Sequence, residues 1–256
     1  MTMFSDSFLK YPLAHRGYHN ASAGIIENSR AAFQAAIDAG YGIELDVQLS
    51  KDGHAMVFHD YEMSRLTNER GAIRMRTQDE LTNIPLKGMQ ETIPTLPEIL
   101  MLIAGRVPLL VEIKDQDGAM GPDVGPLEQS VARALKTYSG PVAVMSFNPH
   151  SVEALSSAAP NIPRGIVSCS YPAEHWLLLN EETRKRLRGI PDYDRVGACF
   201  ISHRHDDLQN PRVAELKTKG AHVNCWTIRS AKDEAEARKI ADMVTFEGYV
   251  AKTPVE

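Results

Sequence analysis

Residues 142–157, VAVMSFNPHSVEALSS, contain a short apolar run followed directly by a segment with helical spacing. The run from Val142 to Phe147 is rich in β-forming residues and predicts a strand, whereas Pro149 to Ser157 predicts a helix. Asn148 and Pro149 mark the turn between the two elements. A strand followed at once by a helix is the repeating unit of proteins built around a parallel β-sheet.

The same alternation continues on both sides of this unit. Further strands are expected at 11–14, 42–49, 108–113, 165–168, 199–202, 222–228 and 243–246, and further helices at 29–39, 97–104, 126–138, 181–188, 211–219 and 231–241. Eight strands that alternate with helices in about 250 residues predict an α/β fold of the TIM (β/α)8 barrel type. A doubly wound sheet is less favoured, because it needs fewer strands and a nucleotide-binding turn, and the chain contains neither GxGxxG nor GxxxxGK[ST].

One region interrupts the alternation. Residues 42–49 and 55–58 predict a hairpin whose turn contains the pair Asp52-Gly53. The residues that follow are polar, irregular and rich in turn formers, which indicates a small insertion at about 60–95, after the second strand. No low-complexity linker divides the chain, so we expect residues 1–256 to form a single domain.

Composition excludes several classes of protein. The 28 Lys and Arg against 33 Asp and Glu give a net charge of -5, so a nucleic-acid partner is not expected. Apolar runs are far shorter than the roughly 20 residues of a membrane-spanning helix, and no secretory signal is recognisable, so we expect a cytoplasmic protein. The three cysteines form no CxxC pair and are expected to be reduced and buried. Oligomeric state is not indicated by the sequence.

Polar residues close several of the apolar runs. In a TIM barrel the active site lies at the carboxyl ends of the strands, so these residues are the candidates for chemistry. They are His15-Arg16-Gly17, Glu44 with Asp46, His59-Asp60, and Glu112 with Lys114. We expect all four groups to meet at one rim of the barrel.

Three of these residues are candidate metal ligands. Glu44 and Asp46 are two residues apart on a strand, so both side chains leave the same face. Carboxylates buried together repel each other unless a cation neutralises them or one takes up a proton. With Glu112 as a third oxygen ligand and no Cys or His at ligand spacing, the site favours Mg²⁺ or Ca²⁺ over zinc. The alternative is a solvated strand face whose acidic residues pair with surface lysines.

The remaining candidates suit acid/base chemistry on an anion. His15 and His59 can act as a general acid and a general base near neutral pH, and Asp60 either orients the His59 ring or caps the turn. Arg16 can bind a phosphate through its guanidinium, and Lys114 adds charge that suits an anionic substrate. The alternative for His15 is a hydrogen-bonded core histidine near the barrel mouth. A metal, an arginine, a lysine and two histidines at one rim together predict phosphodiester hydrolysis.

In a series of short segments the chain resembles the glycerophosphodiester phosphodiesterases. The matching segments follow one another along nearly the whole chain: HRG at 15–17, ENS at 27–29, ELDV at 44–47, FHD at 58–60, RLT at 65–67, PTL at 94–96, EIK at 112–114, SF at 146–147 and WT at 226–227. Each segment alone is weakly specific, but the joint pattern is highly specific. The resemblance implies a TIM barrel with a small insertion after the second strand, which hydrolyses glycerophosphodiesters to glycerol 3-phosphate and an alcohol.

The resemblance also implies roles for individual residues. It makes Glu44, Asp46 and Glu112 the metal ligands and His15 and His59 the catalytic histidines. It further implies that Arg16 and Lys114 lie near the phosphate and Trp226 against the glycerol, and that these three bind the substrate together with Asn28. Glu27 and Asn28 are implied to lie in the site wall or in the shell around the metal.

The chain departs from the family pattern in two places. Ile26 and Ser29 flank the Glu-Asn pair, where the family often has Pro and Thr. After the last strand the chain continues as Glu247-Gly248-Tyr249 instead of the usual Asp and Pro ending. Both departures concern the loops at the rim and not the predicted metal centre.

Other interpretations of the barrel stay open. Tyr171 and the run 176–179 are expected to form the apolar face of a short helix over the barrel. If they formed a membrane-facing rim instead, the same fold would act on lysophospholipids or phosphoinositides. A non-catalytic barrel is a further alternative, although none of the predicted catalytic residues and metal ligands is missing. The cluster 203–207 is expected to be a polar loop in which His203 reaches the substrate, with a second metal site as the alternative.

Overall fold

Eight parallel strands close into a barrel in the computed structural model, which describes residues 4–253. The strands are β1 (Leu13–Ala14), β2 (Gly42–Leu49), β3 (Ala55–Val57), β4 (Leu109–Ile113), β5 (Val142–Ser146), β6 (Arg164–Ser168), β7 (Phe200–Arg204), β8 (His222–Ile228) and β9 (Met243–Phe246). Strand β1 pairs in parallel with both β2 and β9, which closes the sheet. Strand β3 pairs antiparallel with β2 as the predicted hairpin and is not one of the eight. The predicted TIM barrel is confirmed.

Most of the helices connect the strands and form the outer layer. The helices are α1 (Ser7–Lys10), α2 (Arg30–Asp38), α3 (Gln78–Thr82), α4 (Leu96–Ile103), α5 (Pro126–Leu135), α6 (Pro149–Ala158), α7 (Glu181–Arg188), α8 (Pro211–Thr218) and α9 (Ala231–Ala237). Helix α1 precedes the first strand and α3 lies in the insertion. Ser29 begins α2 as its N-cap, because its Oγ accepts a hydrogen bond from the backbone N–H of Ala32 at 3.1 Å. Gly40 follows the end of α2 in the left-handed conformation, with φ 73°, which glycine adopts without strain.

Alternation along the strands separates two apolar layers. Ile43, Leu45 and Val47 point outward from β2 into the core between the barrel and the helices. A second cluster fills the inside of the barrel toward the amino-terminal ends of the strands. Its buried members are Phe8, Leu13, Leu110, Ala143, Met145, Val167, Phe200 and Met243. The carboxylates of the predicted site therefore share the barrel interior with this apolar plug.

Residues 61–95 pack with Met56 and Phe58 of the hairpin around an apolar cluster that is separate from the barrel core. The buried members are Met56, Phe58, Met63, Leu66, Ile73, Leu81, Ile84, Leu86 and Ile93. The segment contains α3 and a 3-10 turn, Ile73–Met75, which the sequence pattern did not predict. Because the segment starts directly after the hairpin, it brings Arg65 to the rim beside His59 and Asp60.

Helices α5 and α9 are shorter than predicted. Helix α5 ends at Leu135 instead of 138, and α9 ends at Ala237 instead of 241. In both cases the chain continues in tight turns, since the N–H of Tyr138 bonds to Leu135 O and that of Ile240 to Ala237 O. Sequence periodicity does not distinguish such a turn from the last turn of a helix.

The prediction of a polar loop at 203–207 is wrong for its first two residues. Strand β7 continues through His203 to Arg204, and His203 is fully buried. Its Nδ1 lies 2.8 Å from Ser168 Oγ and its Nε2 lies 3.0 Å from Asp207 Oδ2, so both ring nitrogens are engaged within the protein. Within residues 4–253 the cluster of side chains close enough to hold a metal lies elsewhere and contains no residue of this segment.

The segment from Tyr171 to Leu179 does not form the expected helix. Its backbone hydrogen bonds join residues three apart, which makes successive tight turns. Tyr171 and Leu179 are buried, whereas Leu177 and Leu178 are 82% and 80% exposed. The apolar residues are therefore divided between the barrel and its surface.

No helix within residues 4–253 is long and apolar enough to cross a membrane. Cys169 and Cys225 are buried, Cys199 is half-buried, and all three are free thiols. Burial raises the pKa of Cys169 to about 11 and that of Cys225 to about 12, so both thiols stay protonated near neutral pH.

Candidate active site

One cavity at the carboxyl ends of the strands collects most of the predicted residues. It has a volume of about 170 Å³ and is lined by His15, Arg16, Glu44, His59, Glu112, Lys114, Met145, Phe147, Trp226, Thr227, Arg229 and Thr245. A larger groove of about 620 Å³ lies between α5 and α6, but its charged lining is Arg133 and Lys136, without a carboxylate. The cavity at the rim is therefore the candidate active site.

The three predicted metal ligands converge beneath this cavity. Asp46 of β2 lies directly opposite Glu112 of β4 in the parallel pairing. One oxygen atom from each of Glu44, Asp46 and Glu112 lies within 4.8 Å of the others, and all three residues are buried. Oxygen atoms that share an Mg²⁺ or Ca²⁺ ion at about 2.0–2.6 Å are at most about 5 Å apart. The burial excludes a solvated strand face, and the spacing fits a hard divalent cation.

Two cations of the chain partly neutralise the cluster. Lys114 Nζ lies 2.8 Å from Asp46 Oδ1 and 2.6 Å from Glu112 Oε1, and Arg16 Nε lies 3.3 Å from Asp46 Oδ2. Burial alone would raise the pKa of Asp46, but the charges of Lys114, His59 and Arg16 outweigh it and hold this pKa well below its usual range. Asp46 is therefore ionised and already compensated within the protein.

Glu44 lacks such compensation. Its Oε2 accepts a hydrogen bond from the backbone N–H of Arg16 at 3.0 Å, while its Oε1 accepts none from any residue in 4–253. Burial, followed by the negative charges of Asp46 and Glu112, raises the pKa of Glu44 well above its usual range. The cluster thus offers three oxygen ligands, and a bound divalent cation would favour the ionised form of Glu44.

The turn after β1 places Arg16 over the cluster. Gly17 in this turn has φ 81°, and a Cβ atom there would lie 2.8 Å from that of Ala32, so glycine lets the turn pass close to α2. Arg16 Nη1 donates to Glu27 Oε1 at 2.7 Å. Burial alone would raise the pKa of Glu27, but hydrogen bonds from Arg65 and the charge and hydrogen bond of Arg16 lower it to about 2.

Asn28 holds Asp46 through its side-chain amide. Its Nδ2 donates to Asp46 Oδ2 at 3.0 Å, and its Oδ1 accepts from the backbone N–H of Asp46 at 3.3 Å. The backbone of Asn28 is left-handed, with φ 55°, a conformation that asparagine adopts more readily than most residues. The structure therefore places this predicted substrate-binding residue against Asp46, a predicted metal ligand, buried and with both ends of its amide engaged.

His59 is held by a chain of side chains from the rim, here called the His59 relay: His59, Asp60 and Arg65. The ring Nδ1 lies 2.6 Å from Asp60 Oδ1, so Asp60 orients the ring. Arg65 donates to both oxygens of Asp60, at 2.5 and 3.0 Å, and to both oxygens of Glu27, at 2.8 and 2.7 Å. With Nδ1 occupied, Nε2 is the ring nitrogen left for chemistry.

His15 is held in the same way by the His15 relay: His15, Glu247 and Arg229. The ring Nδ1 lies 2.5 Å from Glu247 Oε2, and Arg229 Nε donates to Glu247 Oε1 at 2.8 Å. The other ring nitrogen, Nε2, lies 4.0 Å from Glu44 Oε2, at the edge of the carboxylate cluster. Burial lowers the pKa of His15, against the opposing effect of the Glu247 hydrogen bond, so the ring is neutral near neutral pH.

A wider groove leads from the cavity to solvent. It has a volume of about 520 Å³ and is lined by His59, Asp60, Tyr61, Glu62, Arg65, Glu112, Lys114, Asp115, Met120, Phe147, His175 and Trp176. His59 and Lys114 line both spaces, so the groove continues the cavity. Trp226 lies on the inner side only, with its ring against Phe147 at a centroid distance of 5.6 Å.

Comparison with known proteins identifies the family to which this chain belongs. A model of the glycerophosphoryl diester phosphodiesterase family matches residues 15–248. The chain belongs to this family. The glycerophosphodiester phosphodiesterase of Caldanaerobacter subterraneus subsp. tengcongensis is 36% identical over 174 residues, which cover 64% of this chain and 69% of the relative. That of Bacillus subtilis is 26% identical over 251 residues, which cover 90% of this chain and 79% of the relative.

A solved structure agrees with the same family. The phosphodiesterase of Oleispira antarctica, determined in complex with the product sn-glycerol-3-phosphate, superposes with a TM-score of 0.76 at 25% identity and covers 94% of both chains. This glycerophosphoryl diester phosphodiesterase is therefore an enzyme of the class that its motifs indicated, and the resemblance is confirmed.

Two parts of the site were missed from the sequence. The sequence marks Glu247 only as a departure from the family ending, and it gives no signal for Arg229. Glu247 lies 232 residues from the histidine that it contacts, so no local spacing could relate the two. Only the topology relates Glu247 to His15, because β1 and β9 are neighbours in a closed eight-stranded barrel.

Proposed function

We propose that this phosphodiesterase hydrolyses glycerophosphodiesters to glycerol 3-phosphate and an alcohol, with His15 and His59 as the acid/base pair. The observation that carries the proposal is the convergence of three buried carboxylates, two oriented histidines and two cations on one cavity. Family membership supplies the substrate class. A non-catalytic barrel is disfavoured, because each of these groups is present and oriented.

The proposal assigns a divalent cation, Mg²⁺ or Ca²⁺, to Glu44, Asp46 and Glu112. When bound, such an ion stabilises negative charge on the phosphate oxygens. Asn28 acts on this part of the site as a positioning residue, since its amide fixes the carboxylate of Asp46.

The position of each histidine suggests its role. His15 lines only the inner cavity, and its neutral ring presents Nε2 beside the carboxylates, which suits a general base that takes the proton of the attacking oxygen. His59 lines both the cavity and the outer groove, where the departing alcohol has a path to solvent. It therefore suits the general acid, which delivers a proton to the alkoxide as its bond to phosphorus breaks.

Three further side chains bind the substrate in this proposal. Arg16 and Lys114 share the charge of the phosphate, because both already lie against Asp46 at the floor of the cavity. Burial alone would lower the pKa of Lys114, but the charges of Asp46 and Glu112 raise it, so the ammonium stays charged. Trp226 offers a ring face to the glycerol carbons from the cavity wall.

Two sources of the attacking oxygen fit this site. Water gives glycerol 3-phosphate directly, whereas a neighbouring hydroxyl of the glycerol gives a cyclic phosphate that water then opens. Both routes use the same two histidines, one to accept a proton and one to donate it.

The direct test is product formation from a panel of glycerophosphodiesters. Glycerophosphocholine, glycerophosphoethanolamine and glycerophosphoinositol are incubated with the protein and either Mg²⁺ or Ca²⁺, and glycerol 3-phosphate is measured enzymatically. We expect its release from at least one substrate, with loss of release in His59→Ala. No release from any of the three substrates would contradict the proposed function.

A second candidate function rests on the apolar residues beside the groove. Trp176 packs against Phe147 in the groove wall, and the next two residues, Leu177 and Leu178, are largely exposed to solvent. Such a rim could hold the acyl chain of a lysophospholipid whose phosphodiester enters the same cavity. Phosphatidylcholine vesicles that contain lysophosphatidylcholine, used for flotation and as substrate, test this candidate. Leu177→Ser with Leu178→Ser should abolish vesicle binding but leave glycerophosphocholine hydrolysis unchanged.

A further inference from the structure

Glu247 occupies an unusual place in the active site. It follows β9, the last strand of the barrel, yet its Oε2 lies 2.5 Å from the Nδ1 atom of His15, which follows the first strand. The other oxygen, Oε1, accepts a hydrogen bond from Nε of Arg229 at 2.8 Å and lies 2.7 Å from its Nη2. Both carboxylate oxygens of Glu247 are thus engaged, one by the histidine and one by the arginine.

The charge state of Glu247 fixes the direction of its hydrogen bond with His15. Burial alone would raise the pKa of this carboxyl group, but the hydrogen bond from His15, the nearby His19 ring and the charge of Arg229 hold it well below its usual range. An ionised carboxylate only accepts hydrogen bonds, so His15 donates from Nδ1. The neutral ring then carries its free lone pair on Nε2, which faces the carboxylate cluster and the cavity.

Barrel closure does not account for this side chain. The backbone already closes the seam between β1 and β9, through parallel pairing and a hydrogen bond of 2.9 Å from His15 N to Phe246 O. The backbone N–H of Glu247 is held separately by Ile228 O at 3.0 Å. The carboxylate therefore adds nothing to the strand pairing that the main chain lacks, and its contact with His15 concerns the ring.

We propose that Glu247 is a positioning residue that fixes the ring orientation and tautomer of His15, with Arg229 holding the carboxylate in place. The proposal rests on the proposed function, in which His15 takes a proton at Nε2. Without Glu247 the ring could rotate or protonate Nε2, and the base would then be absent from the cavity. The equivalent contact of His59 with Asp60 shows that the second histidine is held by the same chemistry from a different segment.

The test is a double-mutant cycle on glycerophosphocholine hydrolysis. We expect Glu247→Ala to lower kcat about 10- to 100-fold, the usual cost of losing a group that orients a catalytic side chain, with KM changed less than about twofold. Glu247→Gln, whose amide oxygen can still accept a hydrogen bond from Nδ1, should recover part of this loss. In the His15→Ala background the same Glu247→Ala change should cost nothing further, because its effect passes through His15.

A matched control separates this role from a general effect of removing a carboxylate. Glu236 lies on α9 with its side chain 64% exposed and bonded to Lys239, so Glu236→Ala should keep the wild-type kcat. Thermal unfolding checks that each variant folds. If Glu247→Ala does not fold, Glu247→Met, which is similar in size but has no strong hydrogen-bond acceptor, decides: a reduced kcat at an unchanged melting temperature supports the proposal, and a wild-type kcat overturns it.

Two results would overturn the inference in the folded alanine variant. One is a wild-type kcat for Glu247→Ala, and the other is an equally large loss from Glu247→Ala in the His15→Ala background. Both leave the proposed function intact, since the wild-type protein is active in either case. A wild-type protein that releases no glycerol 3-phosphate would instead overturn the proposed function together with this inference.

Discussion

The two histidine relays have the same chemical order but are built from different parts of the chain. The His59 relay comes from one continuous region, with Asp60 adjacent to the histidine and Arg65 five residues further on. The His15 relay joins the first strand to the last, with Glu247 232 residues away from the histidine. In both relays a carboxylate holds Nδ1 and an arginine holds the carboxylate.

The difference lies in what supports each relay. Arg65 also bonds to both oxygens of Glu27, so the His59 relay is anchored to the turn that carries Arg16. Within residues 4–253 the side chain of Arg229 bonds only to Glu247, and it is 63% exposed. A barrel can therefore orient two equivalent side chains either through a dense local network or through side chains that meet only where the first and last strands pair. We expect the His59 relay to depend more strongly on its arginine.

The largest effect is expected from removing a histidine itself. His59→Ala should lower kcat by about 10²- to 10⁴-fold, because a positioned general acid contributes this much to the rate. The measurement is steady-state release of glycerol 3-phosphate, with circular dichroism to show that the variant folds. A nearly normal rate would remove His59 from the mechanism and end the equivalence of the two relays.

A smaller loss is expected when the orienting carboxylate is changed at His59. Asp60→Ala should lower kcat about 10- to 100-fold, since the ring loses the hydrogen bond that fixes Nδ1. A comparison of its kcat with that of Glu247→Ala under the same conditions shows whether the two relays contribute equally to the rate. An unchanged kcat for Asp60→Ala would mean that this aspartate serves only the turn.

The arginines give the sharpest test of the difference between the relays. Arg65→Ala should lower kcat about tenfold, which corresponds to about 1.4 kcal/mol, because it releases two carboxylates at once. Arg229→Ala should cost only about threefold, since an exposed ion pair contributes less than about 1 kcal/mol. Equal losses in the two variants, or a larger loss in Arg229→Ala, would contradict the proposed difference in support.

A separate effect concerns the stability of the fold in acid. The folded-state pKa of Glu27 is about 2, against an ordinary value of 4.5, so its ionisation stabilises the fold above about pH 4.5 and this contribution is lost as the pH falls toward 2. The shift corresponds to at most about 3 kcal/mol at neutral pH. Urea unfolding should therefore show Glu27→Gln less stable than wild type at pH 7, with the gap narrowing at pH 3. A gap that is constant with pH would contradict the ion-pair assignment.

Much of the fold could be predicted because its signals are local. Strands β2, β8 and β9 and helix α7 have the predicted bounds, since short apolar runs and helical spacing alternate clearly there. The turns at 171–179 could not be predicted in this way. Their apolar residues have no regular spacing, and only the packed barrel decides that Tyr171 faces inward while Leu177 does not.

The candidate site likewise contains residues that local sequence rules could place and contacts that they could not. Glu44 and Asp46 could be placed on one face because strand alternation is a local rule, and Glu112 followed from the equivalent place on its own strand. The bonds of Lys114 to two carboxylates, and of Asn28 to Asp46, depend on side-chain positions that spacing does not give. Glu247 was beyond prediction for a stronger reason, because its partner is decided by which strands close the barrel.

The central claim is that Glu44, Asp46 and Glu112 bind a divalent cation, and isothermal titration calorimetry tests it most directly. Protein freed of metal with EDTA and dialysed is titrated with MgCl₂ and, separately, with CaCl₂. We predict one saturable site for at least one of the two ions, lost in Glu44→Gln and retained in Glu236→Gln. The absence of saturable binding for both ions, or undiminished binding by Glu44→Gln, would contradict the account.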